Sequence, residues 1–198
     1  VFFLVWHVLP LTLAVLASMA ATLYVTGAFH EDGWCDTIDG FGGAWEKERV
    51  LAIMKDSRIG SYGAAALIVL LLCKFCALIE MRMWMIPLAL IAGHTLSRLC
   101  ATLVMASLDY VRDEGKAKPM SARIGRASLV FAGLTALLPL VFLPPAPVAI
   151  GVVFAALATL WLACLFKRRI GGYTGDCLGA VQQLSEVAFY CGLLCKFS

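Results

Sequence analysis

The order of apolar and polar residues along this chain of 198 residues predicts an all-α membrane protein. The apolar runs are continuous and lack the alternation of half-buried strands, which indicates helices. Only helices or closed barrels satisfy the backbone within lipid, and a helical span needs about 20 apolar residues. We therefore predict a polytopic helical bundle of about six transmembrane helices, at residues 2–26, 62–80, 84–108, 128–143, 146–166 and 178–196.

The loops between these spans form two sets that differ in charge. Twelve of the 16 Lys and Arg residues lie in the first set and only two in the second. The positive-inside rule therefore predicts a cytoplasmic location for the first set. Most acidic residues share that side, which favours an enzyme that takes a soluble substrate from the cytoplasm. The first set is residues 27–61, 109–127 and 167–177; the second is residues 81–83, 144–145 and the C-terminal end.

Composition supports the membrane assignment. The chain is 62% hydrophobic and 15% charged, with a mean hydropathy of +0.89 and a net charge of +3. A soluble domain is about half apolar and about a quarter charged. The sequence starts at Val1, already close to a span, so we expect one integral-membrane catalytic domain over residues 1–198 that lacks an N-terminal helical region. The eight cysteines lie mostly in apolar spans and are expected to pack as small hydrophobic residues.

Three aspartates directly after the first span carry the clearest chemical signal. Asp32, Asp36 and Asp39 stand at i, i+4 and i+7, which places their carboxylates on one face of a helix. Like charges at such spacing raise one another's pKa unless a cation neutralises them. Ligation by oxygen alone suits Mg²⁺ or Mn²⁺. The pattern predicts a metal site for a phosphate-bearing substrate, although the glycines around it are equally compatible with close helix packing.

Two further segments of the same side have phosphate-binding chemistry. In residues 54–63, Asp56 could act as another ligand or as a base, and Arg58 as a phosphate clamp. The same segment is equally compatible with an ordinary helix start. In residues 171–176, backbone N–H groups around Gly172 and Thr174 can cradle phosphate, and Asp176 adds a carboxylate.

Charged and polar residues inside two spans point to the interior of the bundle. Arginine in hydrocarbon is costly and usually faces protein or a wet cavity. We therefore favour a phosphate-binding role for Arg98 over a structural ion pair with Glu186. His94 is compatible with a packed histidine or with a catalytic one. Gln182 and Gln183, together with Glu186, make the last span polar on one side.

Several function classes have no support in the sequence. No Ser-His-Asp arrangement, Walker loop or dinucleotide fingerprint is present. The basic residues follow membrane topology, so nucleic acid is not an expected partner.

Taken together, the motifs resemble one known family. The pattern His30-x-Asp32-Gly33-x-x-Asp36-x-x-Asp39-Gly40 looks like the signature of the cobalamin synthase family, the adenosylcobinamide-GDP ribazoletransferases. The other matching blocks follow in family order: Met54-Lys-Asp-Ser-Arg-Ile-Gly-Ser-Tyr-Gly63, Ser97-Arg98, Tyr110-x-Arg112-x-Glu114-Gly115 and Gly171-Gly172-x-Thr174-Gly175-Asp176-x-Leu178-Gly179-Ala180.

The resemblance implies a defined reaction and set of roles. The ribose 3′-hydroxyl of α-ribazole, or of its 5′-phosphate, would attack the cobinamide-linked phosphorus of adenosylcobinamide-GDP and release GMP, with Mg²⁺ as cofactor. The enzyme would sit in a bacterial or archaeal inner membrane with its active-site loops in the cytoplasm; assembly into a homo-oligomer stays open. The roles implied are metal and diphosphate binding by Asp32, Asp36 and Asp39; ligand or base by Asp56 or Asp176; phosphate binding by Arg58 and Arg98; and substrate binding by His30, Gly172 and Thr174.

Three alternatives from other classes remain at this stage. CDP-alcohol phosphotransferases also have a helical membrane fold and an aspartate-rich metal motif. Their signature, however, has Ala-Arg after its first Asp-Gly-x-x, where this chain has Asp36-Thr37. Membrane prenyltransferases use Asp-x-x-x-Asp pairs, which Asp32/Asp36 and Asp109/Asp113 match loosely, but they usually have more spans. A corrinoid or ion transporter would have polar midplane residues in several helices and an inverted repeat, and no repeat is evident.

Overall fold

The computed structural model describes residues 1–112 and 124–195, and this part of the chain is built from helices. The all-α prediction is therefore confirmed. Glu114 and Gly115 of the family motif, and Asp113, lie outside the described residues. The helices are α1 (Phe2–Trp6), α2 (Leu11–Thr26), α3 (Phe29–Gly43), α4 (Lys47–Ile53), α5 (Ser61–Ile79), α6 (Met85–Ser107), α7 (Arg126–Leu137), a 3-10 helix (Leu138–Phe142), α8 (Pro145–Ile170) and α9 (Gly175–Leu193).

Three of the described helices, α5, α6 and α8, are each long and apolar enough to cross a bilayer. A fourth candidate exists only if α2 and α3 are counted together as one bent segment. The predicted count of six spans is not confirmed. Residues 128–143 are divided between α7 and the 3-10 helix, which together form a shorter apolar segment. Helix α9 is less apolar because it contains Gln182, Gln183 and Glu186.

A sharp turn separates α2 from the acidic helix α3. Gly27 and Ala28 both adopt left-handed backbone conformations, with φ of +63° and +53°. Glycine takes this conformation at little cost, whereas it is uncommon for alanine. The axes of α2 and α3 consequently differ by 85°, so the aspartates do not continue the line of the preceding apolar helix.

Helix α9 lies at the centre of the bundle, with 13 of its 19 residues buried. Glycine pairs allow its neighbours to approach closely. A Cβ atom on Gly33 of α3 would lie 2.9 Å from the backbone oxygen of Asp176 and 3.3 Å from the Cα of Gly179. A Cβ on Gly192 would lie 2.5 Å from the Cα of Gly151 in α8. Small residues at helix crossings are typical of membrane bundles, where backbone approach supplies the packing energy.

A buried charge cluster joins α9 to α5 and α6. The Glu186 carboxylate lies 2.7 Å from Lys74 Nζ and 3.4 Å from His94 Nδ1, and it accepts a hydrogen bond of 2.8 Å from the Tyr190 hydroxyl. Both Glu186 and Lys74 are almost fully buried. The structural partners of Glu186 are therefore these groups rather than Arg98, as burial of an unpaired charge would be costly.

The two sets of loops separate in space as the charge pattern predicts. Arg112 donates to the Met54 carbonyl and pairs with Asp176, so this one side chain joins all three loops of the basic set. At the other end of α5, residues of the second set meet around a cavity of about 360 Å³ that includes Arg82 and Pro144. The geometry thus supports the division of the loops.

We predict that Gly33→Ala destabilises the bundle. The added methyl group would contact the α9 backbone, and overpacking of this kind costs about 1–3 kcal/mol. The free energy of unfolding in detergent measures the effect. The matched control is Gly133→Ala in α7, where a Cβ would have no neighbour within 4 Å; it should be neutral or stabilising by up to about 1 kcal/mol. Equal stability of the two variants would contradict the proposed packing role.

Candidate active site

Three carboxylates from two helices converge where α3 crosses α9. Asp32 and Asp36 lie one turn apart on α3, exposed and half-buried respectively. Gly33 stands between them and allows the first turn of α9 to contact α3 directly. That contact brings Asp176, the second residue of α9, close enough to Asp32 and Asp36 for their charges to interact. The structure therefore joins three of the acids that the sequence singled out.

Arg112 supplies the positive charge at this cluster. Its Nη2 lies 2.8 Å from Asp176 Oδ2 and 3.2 Å from the Met54 carbonyl oxygen, and the side chain is mostly buried. Burial raises the pKa of Asp176, the Arg112 guanidinium opposes that effect, and the charge of Asp32 adds to it. The net pKa of Asp176 is above its ordinary value, so this carboxyl holds a proton more readily than an exposed one.

Asp39 is engaged differently from the other two α3 aspartates. Its Oδ2 accepts a hydrogen bond of 2.7 Å from the Gly60 N–H, and its Oδ1 accepts one of 2.8 Å from the Gly63 N–H. These amides belong to the start of α5, where N–H groups lack partners within the helix. Asp39 is buried and acts as an anchor for α5. A Cβ at Gly60 or Gly63 would lie 2.4 Å from an Asp39 oxygen, which explains both glycines.

The predicted metal-ligand set is not preassembled in the described part of the chain. No group of three or more His, Cys, Asp or Glu side chains is arranged there to hold an ion. The reasons are local: Asp39 is committed to α5, and one oxygen of Asp176 is paired with Arg112. Ligation by Asp32, Asp36 and Asp39 stays a prediction.

Asp56 and Arg58 lie in the loop before α5 and pair with each other. Arg58 Nε and Nη2 donate to the two Asp56 oxygens at 3.0 and 2.6 Å. The side chain of Arg58 is 86% exposed. Hydrogen bonds from Arg58 lower the pKa of Asp56 to about 2. Asp56 is therefore a weak base as it stands, and its role and that of Arg58 stay predictions.

Gly172 and Thr174 have structural explanations within the described chain. A Cβ on Gly172 would lie 2.0 Å from the carbonyl oxygen of Asp109, because the chain forms an isolated parallel bridge between Tyr110 and Tyr173 here. Thr174 is fully buried and caps α9, with its Oγ1 accepting from the Cys177 N–H at 3.3 Å. Their predicted contact with substrate remains untested.

His30 and Arg98 form a second polar region at the start of α3. Arg98 is exposed on α6 and donates to the His94 carbonyl oxygen at 3.0 Å. It lies close enough to His30 for its charge to act on the imidazole. His30 Nδ1 is buried and has no hydrogen-bond partner among the described residues. An exposed cation beside an unsatisfied ring nitrogen is suited to a polar ligand.

Sequence reasoning assigned no site role to Arg112. Its only signals were its place in the family motif and in a basic loop, where it counted toward topology. The contact with Asp176 joins residues far apart in the chain, and no local spacing reveals such a contact.

Comparison with known proteins identifies the family to which this arrangement belongs. The model of the cobalamin-5-phosphate synthase family matches residues 1–194. The chain belongs to this family. The recognition made from the motifs is thereby confirmed.

Two curated relatives of this chain have the same name. A protein of Shewanella frigidimarina is 44% identical over 98% of this chain and 76% of its own length. One of Ralstonia pickettii is 45% identical over the whole chain and 78% of its own length. Both are named adenosylcobinamide-GDP ribazoletransferase. No solved structure matches the chain.

We predict that Asp39→Ala and Asp32→Ala differ in stability. Asp39→Ala leaves two N–H groups at the start of α5 without their acceptor and should cost about 2–4 kcal/mol. Asp32→Ala removes an exposed like charge and should change stability by less than about 0.5 kcal/mol. Unfolding in detergent measures both. If Asp39→Ala were as stable as the wild type, the anchoring role would be wrong.

Proposed function

We propose that this protein is an adenosylcobinamide-GDP ribazoletransferase. The ribose 3′-hydroxyl of α-ribazole, or of its 5′-phosphate, forms a bond to the cobinamide-linked phosphorus of adenosylcobinamide-GDP. The bond from that phosphorus to the oxygen of GMP breaks, GMP leaves, and adenosylcobalamin or its 5′-phosphate is the product. The hydroxyl proton passes to a carboxylate of the site.

The observation that carries the proposal is the carboxylate cluster at the α3–α9 crossing. Asp32, Asp36 and Asp176 meet there beside Arg112, and the family match covers the chain through residue 194. Phosphoryl transfer depends mainly on positioning and on neutralising charge. A site with carboxylates and one buried guanidinium offers both functions.

The donor atoms of the cluster fit magnesium bound together with substrate. Mg²⁺ usually keeps several waters and is held by one or two carboxylates plus substrate phosphates. Asp32 and Asp36 are accessible and one turn apart, so they would hold the ion, whose chemistry there is to neutralise diphosphate oxygens. Asp39 would support them indirectly by fixing the end of α3 to α5.

Asp176 is better suited than Asp56 to accept the hydroxyl proton. The pKa of Asp176 is raised by burial, whereas the pKa of Asp56 is lowered to about 2 by Arg58. A base works best when its pKa lies near the operating pH. Arg112, which touches Asp176, would hold phosphate charge next to it.

Arg98 and His30 are proposed to bind another polar part of the substrate, since both lie at the end of α3 away from Asp39. The excess of Lys and Arg in the first loop set supports our proposal that the carboxylate cluster faces the cytoplasm from an inner membrane. Adenosylcobinamide-GDP and α-ribazole, or its 5′-phosphate, would then reach the cluster from the cytoplasm.

The test is GMP release by the purified protein in liposomes with adenosylcobinamide-GDP, α-ribazole and Mg²⁺. We expect metal-dependent GMP together with a corrinoid product, and loss of both with a chelator. Asp36→Asn should lower kcat at least 100-fold with little change in stability. Glu48→Gln, an exposed acid at the start of α4, is the matched control and should keep wild-type turnover.

Two results would contradict this proposal. Turnover that persists in excess chelator would show that the reaction does not require magnesium. If the folded wild-type protein released no GMP, the proposed reaction would be wrong.

We predict that Asp176→Asn and Asp56→Asn have unequal effects on kcat. Loss of a general base costs about 10²–10⁴-fold, so Asp176→Asn should fall in that range. Asp56→Asn should keep kcat within about threefold, because its low pKa makes it a poor proton acceptor. Single-turnover rates with saturating substrates measure both. The reverse order would assign the base to Asp56.

A further inference from the structure

A cavity of about 520 Å³ lies between the end of α6 and the start of α7, at the bridge between Tyr110 and Tyr173. Its size is within the range of small-molecule sites, about 300–1,000 Å³. Polar groups line much of it. Its lining includes Ala106, Asp109, Tyr110 and Tyr173.

An aromatic pair forms one wall of this cavity. The rings of Tyr110 and Tyr173 meet edge to face, with centroids 5.5 Å apart and planes at 66°. Backbone bonds hold both residues: the Tyr173 N–H donates to the Asp109 carbonyl at 2.9 Å, and the Val111 N–H donates to the Tyr173 carbonyl at 3.0 Å. Tyr173 is buried, whereas Tyr110 is half-buried. The ring of Tyr110 is thus a fixed surface that still faces accessible space.

The cavity and the carboxylate cluster share the same short segment. Tyr110 is two residues from Arg112, which pairs with Asp176. Its bridge partner, Tyr173, is three residues from Asp176. A molecule seated against Tyr110 would therefore lie next to the chain segment that holds Arg112 at the carboxylate cluster.

We propose that this cavity binds the heteroaromatic base of a nucleotide substrate, with Tyr110 as its stacking surface. The identity of the nucleotides rests on the proposed function. Two bases belong to the groups that react, the guanine of the GMP that leaves and the benzimidazole of α-ribazole. The Asp109 carboxylate would distinguish guanine from benzimidazole. Guanine offers N1–H and 2-amino donors to a carboxylate, whereas benzimidazole attached to ribose has no N–H. Asp109 is exposed at the cavity.

The test is equilibrium binding of GMP and of α-ribazole to the purified protein in detergent, which needs no turnover. Stacking of a base on an aromatic side chain supports about tenfold or more in affinity. Tyr110→Ala should weaken binding of one of the two ligands by about tenfold, and Tyr110→Phe should keep it. Tyr24→Ala, at an exposed tyrosine of α2, is the matched control and should bind as the wild type does.

Further variants identify which nucleobase binds in the cavity and control for misfolding. Asp109→Asn should weaken GMP alone if the base is guanine, and neither ligand if it is benzimidazole. Ala106→Trp adds bulk at another residue that lines the cavity and leaves Tyr110 in place; it should weaken binding of the same ligand as Tyr110→Ala does. Melting temperatures near that of the wild type would show that both variants are folded.

The outcomes distinguish this proposal from the proposed function. Wild-type affinity for both ligands in folded Tyr110→Ala and Ala106→Trp would overturn the base-binding role, as would a wild type that binds neither ligand. Tyr110-dependent binding in a protein that releases no GMP would support the cavity and overturn the ribazoletransferase reaction.

Discussion

The direct contact between α3 and α9 is the constraint on which the candidate active site depends. Gly33 and Gly179 allow the two backbones to meet, and a buried hydrogen bond of 3.0 Å from Gln183 to Glu31 joins the same helices. Asp32 and Asp176 come close only because no Cβ intervenes. The crowding of carboxylates is thus a consequence of helix packing, and Arg112 offsets part of its electrostatic cost.

The fold was predictable where composition alone decides the structure. Helices α5, α6 and α8 have long apolar runs, and the predicted spans match them closely. The bend after α2 was not predictable, since it depends on the left-handed backbone of Gly27 and Ala28. The last predicted helix matches α9, and its polar residues are buried as expected, with partners on neighbouring helices. Its place as a membrane span is not confirmed, because α9 is not among the helices apolar enough to cross a bilayer.

The candidate site was predictable in its residue types but only partly in its geometry. Helical spacing placed Asp32, Asp36 and Asp39 on one face, as i, i+4 and i+7 positions require. Spacing says nothing of which element packs against each turn of that face. The start of α5 meets Asp39, whereas the start of α9 meets Gly33. The same long-range packing explains why Arg112 was not assigned.

The buried Glu186 has a consequence for the order in which the helices pack together. A carboxylate in hydrocarbon is strongly unfavourable without a partner, and here the partners are Lys74 of α5 and His94 of α6. These helices are synthesised earlier than α9. Both partners of the buried carboxylate are therefore present in the chain before α9 is made, and we expect α9 to pack stably only against α5 and α6.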